Sequence, residues 1–105
     1  MEAKTTTQDY LFLPNRQEKD TKFIILDVRT CQEFVGGHVK GAIHIPYDEI
    51  HLNIQKIKSW GKPIITYSKD GKRSQAASSQ LSLFGVKAID GGNMQKVKAL
   101  FGQMD

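Results

Sequence analysis

Cysteine is nearly absent. Cys31 is the only one in 105 residues, so no intrachain disulfide braces the fold, and a reducing compartment is the natural expectation. Long apolar runs are missing as well; the longest span a few residues, far short of the roughly 20 needed to cross a bilayer. Met1 to Gln8 is polar and lacks the apolar centre of a secretory signal. These absences predict a cytoplasmic protein, or a periplasmic one whose signal has been removed, with no membrane partner. His38, His44 and His51 have no partners at metal-ligand spacing, so neither a metal nor a cofactor is expected. Charge is only mildly biased: 15 basic and 11 acidic residues give +4. Lys56, Lys58, Lys62, Lys69, Lys72 and Arg73 fall on several different segments, not in one stripe with aromatic residues between them. That dispersal describes a solvated basic surface and excludes nucleic acid as the expected partner.

The length suits one compact domain. Residues 1–22 read as a polar lead-in, with Tyr10 to Leu13 a short apolar patch fit for one helical turn or a short strand. Residues 23–105 carry the domain proper. Phe23-Ile24-Ile25-Leu26 is an apolar run rich in β-branched residues, as in a strand buried on both faces. Thr30 to Glu33 has the Ser/Thr-x-x-Glu spacing of a capping box and opens a short helix that Gly36-Gly37 ends. Ala42 to Ile45 predicts a second strand, halted by Pro46. Ile50, Ile54 and Ile57 predict one helix from Asp48 to about Lys58, with Trp60 packed near its end. Ile64 to Tyr67 is a third strand, followed by a helix with Ala77, Leu81 and Phe84 on one face and Gly85 as its cap. Val86 to Ile89 is a fourth strand. Asp90-Gly91-Gly92 is a tight turn and Asn93 the N-cap of a last helix, whose buried stripe is Met94, Val97 and Phe101. Alternating strands and helices with short loops imply a three-layer α/β/α fold on a mainly parallel sheet of about five strands.

In such a sheet, sites form at the carboxyl ends of strands. Two loops qualify, one after Asp27 and one after Tyr67. The second, Ser68-Lys69-Asp70-Gly71-Lys72-Arg73-Ser74, joins a buried strand to a helix N-terminus. Amide N–H groups in such a turn converge into a nest, and the helix dipole adds positive potential. Gly71 supplies a backbone conformation closed to other residues. Lys69, Lys72 and Arg73 surround the concavity with charge, while Asp70 opposes it. Physically this is an anion cradle.

Several segments then point to one family. Asp27-Val28-Arg29, Glu33-Phe34, Gly37-His38-Val39-Lys40-Gly41-Ala42, Ile45-Pro46 and Pro63 to Tyr67 resemble the successive signatures of rhodanese domains, in the family's order. Gly71 to Ser74 is similar to the end of its active-site loop, and Asp90-Gly91-Gly92 to its closing turn. The resemblance covers about Phe23 to Phe101. It implies a thiosulfate-type sulfurtransferase fold, in which a cysteine at the start of the loop attacks the outer sulfur of a donor such as thiosulfate. The resulting persulfide passes its sulfur to a thiol or to cyanide. That cysteine position falls on Ser68. The loop amides and Arg73 fall where the family stabilises the anion, and Asp27 and Arg29 where it orients loops by an ion pair. The tryptophan usual after the double glycine is missing; Lys96 or Val97 stands near its place.

A hydroxyl stays protonated at neutral pH without a base, is a poor nucleophile toward sulfur, and cannot carry a transferable sulfane sulfur. No residue near Ser68 in the sequence stands out as such a base. The chain as written is therefore expected not to transfer sulfur. Two readings stay open: a non-catalytic module that binds a small sulfur-containing anion, a persulfide or thiol partner or another protein, and a Cys-to-Ser variant of an active sulfurtransferase. A phosphatase-like hydrolase is a third class, but the four residues between Ser68 and Arg73 match the shorter, sulfurtransferase-sized loop. Cys31, at the first position of its helix, and His38, in a Gly-His turn, are expected to be incidental to the chemistry.

Overall fold

The computed structural model describes residues 22–101, with Phe101 by its backbone alone. Four strands, β1 (Ile24–Asp27), β2 (Ile43–His44), β3 (Ile64–Ser68) and β4 (Ala88–Asn93), form one sheet in the order β2-β1-β3-β4. Every neighbouring pair is parallel. Helices α1 (Cys31–Val35), α2 (Ile54–Ser59), α3 (Lys72–Leu83) and α4 (Met94–Phe101) connect and cover it. The described sheet thus has four strands where about five are predicted from sequence. The patch Tyr10 to Leu13 lies outside the described residues, as does the side chain of Phe101.

Apolar residues pack on both sheet faces, as a parallel sheet requires. On one face Leu26, Ile45 and Ile64 meet Ile54 and Ile57 of α2 and Ala77 and Leu81 of α3. On the other, Ile25, Val39 and Tyr67 meet Val97 of α4, with Phe23 and Met94 alongside. This is the three-layer α/β/α arrangement. Trp60 packs half-buried at the end of α2.

Local chemistry explains the boundaries. Thr30 and Glu33 form the complete capping box at α1: the Thr30 hydroxyl accepts from the Glu33 amide, and Glu33 Oε1 accepts from the Thr30 amide at 2.9 Å. The single helix predicted from Asp48 to about Lys58 is instead a 3-10 turn, Tyr47–Leu52, followed by α2. Asn53 divides them. Its side-chain amide donates to the Glu49 carbonyl at 2.8 Å and its backbone sits at φ −122°, the local competition with helix that asparagine favours. Ile50, Ile54 and Ile57 are nevertheless all buried.

Phe84 does not join the buried face of α3. It is the C-cap and is 54% exposed. Gly85 N–H donates to the Ser82 carbonyl and Val86 N–H to the Leu81 carbonyl, a Schellman closure with Gly85 at φ 89°. That closure folds Val86, not Phe84, back onto Leu81 in the core.

The predicted turn at Asp90-Gly91-Gly92 is part of a strand. β4 runs through it to Asn93 with a bulge, since Thr66 pairs with Asp90 but Ser68 with Asn93. Gly91 is required by space: a Cβ there would lie 2.9 Å from Ile65 Cγ2, the Thr66 carbonyl and Val97 Cγ2. Asn93 then caps α4, its Oδ1 accepting the Lys96 amide at 2.8 Å.

Candidate functional site

The strand order reverses direction between β1 and β3, the switch point at which parallel sheets open a crevice at their carboxyl ends. The loops after Asp27 and after Ser68 flank that point. Ser68 is the last residue of β3 and is fully buried. Three residues later the chain turns through Gly71, at φ 87°, directly into α3, a conformation that glycine adopts without strain.

The loop closes on Ser68. Its Oγ accepts the Gly71 amide at 3.0 Å and the Ser74 amide at 3.1 Å. Asp70 Oδ1 accepts the Lys72 amide at 2.9 Å, and this bond, with nearby Lys72 and Arg73, holds the exposed Asp70 carboxyl below its usual range. Three amides of the loop and first helical turn are thus engaged by side chains of the same loop. Ser74 is buried, its carbonyl held by the Thr66 hydroxyl at 2.8 Å.

Ser74 Oγ stands at the centre of four oxygens: Ser68 Oγ at 3.1 Å, the Gly71 carbonyl at 3.1 Å, the Gly92 carbonyl at 3.3 Å and Asp90 Oδ1 at 2.6 Å. It has one proton, and the carboxylate at the shortest distance takes it. Between the two serines, Ser68 must therefore be the donor. The direction is Ser68 to Ser74 to Asp90. With two N–H bonds accepted and one O–H donated, the Ser68 hydroxyl is saturated.

Arg73 is steered sideways. Its Nη2 lies 3.3 Å from Glu33 Oε1, the same oxygen that caps α1. The Thr30 amide, followed by Arg73, keeps the Glu33 carboxyl below its ordinary range. Arg73 therefore ties the loop to α1.

The wall of the crevice is a buried polar cluster. Asp27 and Arg29 form an ion pair at 2.7 Å, both nearly inaccessible. Arg29 Nη2 also donates to the Gly37 carbonyl at 2.7 Å. The Tyr67 hydroxyl donates to Asp27 Oδ2 at 2.7 Å and accepts the Val39 amide at 3.0 Å. Burial, then the bond to Asp27, pushes the Tyr67 phenol well above its ordinary pKa. The cluster pins the loop after β1 and the turn around Gly37 to the strand that carries Ser68.

Of the residues singled out from sequence, Ser68, Gly71 and Ser74 gather around one oxygen, and Asp27 and Arg29 form the wall. Lys69 and Lys72 lie on the exposed rim. Cys31 is exposed at the start of α1. His38 Nδ1 donates to the Phe34 carbonyl at 2.9 Å, and the ring stacks on Phe34 at 3.8 Å. Sequence patterns placed Glu33, Tyr67 and Asp90 in family-like segments, and Glu33 in a helix cap, but named no site partners for them. Nothing local marks them, because their partners lie 16 to 40 positions away. Among the described residues no group of three or more His, Cys, Asp or Glu is gathered to hold a metal. No helix among them is long and apolar enough to cross a membrane.

Comparison with known proteins agrees with this architecture. The family model of the rhodanese-like domain matches residues 12–98. The chain is 34% identical over 65 residues to the uncharacterised protein YqhL of Bacillus subtilis, an alignment covering 62% of this chain and 51% of that protein. It is 28% identical over 72 residues to the putative sulfur carrier protein YrkF of the same organism, covering 69% of this chain and 38% of YrkF. The chain thus spans about half or less of these curated relatives. Among solved structures, a rhodanese-related protein from Thermoplasma volcanium superposes with a TM-score of 0.66 at 26% identity, over 77% of this chain and 80% of that one. The chain belongs to the rhodanese-like domain family.

Proposed function

We propose that this chain is a rhodanese-like module that has the sulfurtransferase loop but, with Ser68 at the nucleophile position, performs no sulfur transfer as written. The observation that carries this reading is the state of the Ser68 hydroxyl: buried, accepting two loop amides and donating its proton to Ser74. Sulfur transfer from thiosulfate requires a thiolate to attack the outer sulfur. The sulfur–sulfur bond of the donor breaks, sulfite leaves, and a persulfide remains on the protein. Cyanide then takes the outer sulfur as thiocyanate and the thiolate returns. A saturated hydroxyl has no free lone pair for the first step, and oxygen does not hold the sulfur for the second.

The ligand class we assign is a small sulfur-containing anion, or the persulfide or thiol of a partner, met by the loop amides that Ser68 and Asp70 do not engage, by the exposed cations Lys69 and Lys72, and by Arg73 once it leaves Glu33. The similarity to a putative sulfur carrier and the position of the loop at the sheet's switch point support that class. Domain and partner are soluble-phase species in this reading, and the compartment proposed is the cytoplasm.

A thiosulfate-to-cyanide assay tests the proposal, run on the chain and on Ser68→Cys. No thiocyanate is expected from the chain as written, and clear formation from Ser68→Cys. Turnover by neither protein overturns the sulfurtransferase assignment of the loop. Turnover by the unaltered chain that Cys31→Ser abolishes places the chemistry on Cys31 and refutes the role given to position 68.

A further inference from the structure

Asp90 lies in the bulged part of β4, away from the loop in sequence, yet its carboxylate reaches Ser74 Oγ at 2.6 Å. The Gly92 amide donates to the same Oδ1 at 2.9 Å and fixes that oxygen in place. Ser74 is fully buried. Its hydroxyl therefore has no solvent route by which to reorient, and four protein oxygens compete for one proton. The negative charge and the short distance decide the competition for Asp90.

We infer that Asp90 is a positioning residue of the loop: by taking the Ser74 proton, it turns a Ser74 lone pair toward position 68 and so demands a hydrogen-bond donor there. Serine meets that demand with its hydroxyl proton, and every hydrogen-bonding capacity of Ser68 and Ser74 described above is then used consistently. A thiolate does not meet it. Such a group would receive the Gly71 and Ser74 amides but face the Ser74 oxygen with no proton between them. The carboxylate of Asp90 thus acts, one hydroxyl removed, against the ionised form of any thiol placed at position 68. This inference rests on the reading of position 68 as the nucleophile position, but it concerns the direction of a proton and not turnover.

The test uses the full chain with Cys31→Ser and Ser68→Cys, so that one thiol is present and its ionisation is followed by ultraviolet thiolate absorbance. Adding Asp90→Ala frees the Ser74 proton for the sulfur, and the thiol pKa is expected to fall by about one unit or more, a tenfold rise in the thiolate-to-thiol ratio. Loss of a nearby charge alone would also lower the value, so Ser74→Ala supplies the discriminating sign. With Asp90 present, Ser74→Ala is expected to leave the thiol pKa unchanged or lower it, since only an opposing lone pair is removed. With Asp90→Ala, the same Ser74→Ala change is expected to raise it, since a donor is then lost. A rise on Ser74→Ala while Asp90 is present overturns the inference, and needs no Asp90 variant to fold. An unchanged pKa on Asp90→Ala, or the same fall with and without Ser74, overturns it too. Because the readout is ionisation, the inference stands or falls separately from the thiocyanate assay.

Discussion

The Tyr67 hydroxyl donates to Asp27 Oδ2 over 2.7 Å and so joins β3, which carries the loop, to the end of β1, which carries the second wall of the crevice. The two residues are directly paired in the parallel ladder, and both are fully buried. The same phenol oxygen accepts the Val39 amide. One hydroxyl thus pairs the otherwise unpartnered Val39 amide and adds a third donor to the Asp27 oxygen that Arg29 already engages.

Tyr67→Phe leaves the Val39 amide and one Asp27 lone pair without a partner. The expected cost is about 1–3 kcal/mol. Thermal unfolding should register it as a fall in Tm of at least about 4 °C for a domain of this size. A variant as stable as the parent would show that water or a rearranged Arg29 replaces the phenol.

The raised Tyr67 pKa makes a second, signed prediction. The folded state favours the neutral phenol, so the contribution to stability is complete below the unfolded-state value of about 10 and erodes as the pH rises toward the folded-state value. Tm measured against alkaline pH is expected to fall more steeply for the parent than for Tyr67→Phe. Parallel curves would show that this phenol titrates alike in both states.

Gly91→Ala introduces a Cβ that meets two side-chain methyls and a carbonyl oxygen at 2.9 Å. Two of these three atoms belong to β3 and cannot withdraw without moving the strand. Overpacking of this kind costs about 1–3 kcal/mol, and the displaced bulge carries Asp90 away from Ser74. Both a lower denaturation midpoint and altered amide shifts at Gly71 and Ser74 are expected; a change in neither would contradict the close approach.

Glu33→Gln releases Arg73 from its ion pair. A partly exposed surface pair of this kind is worth about 0.2–1 kcal/mol, so thiosulfate binding to the loop is expected to tighten by about 1.4- to 5-fold. Titration followed by amide shifts of residues 69–74 measures it. The lowered Glu33 pKa also stabilises the fold above the unfolded-state value of about 4.3, and that contribution is lost as the pH falls through the folded-state value. Parent and Glu33→Gln are expected to converge in stability at acid pH. Weaker binding in Glu33→Gln would mean that Glu33 aims Arg73 at the ligand.

Where residues near in sequence compete for the same backbone, sequence and structure agree closely. Thr30 and Glu33 cap α1 as their spacing requires, Asn93 caps α4, and the apolar β-branched run forms β1, because each depends on neighbours within one turn or one strand. Departures arise where a more distant contact decides. Phe84 has the spacing of a buried helix residue, but the Schellman closure gives the core position to Val86. Asp90-Gly91-Gly92 has the composition of a turn, but Val97 and β3 leave room only for a bulged strand. Ile50, Ile54 and Ile57 have the spacing of one helix, but the Asn53 side chain takes the Glu49 carbonyl and divides it.

The site divides along the same line. Order and spacing along the chain determined that a strand leads into position 68, that a glycine turns the loop into a helix, and that the residue at the nucleophile position of the resembled family is serine and not cysteine; these follow from covalent order and short-range geometry. Only the tertiary structure decided which way the Ser68 proton points, that Arg73 leans on Glu33, and that Tyr67 completes the wall. Hydrogen-bond direction depends on every acceptor within reach, and here the deciding carboxylate arrives from another strand.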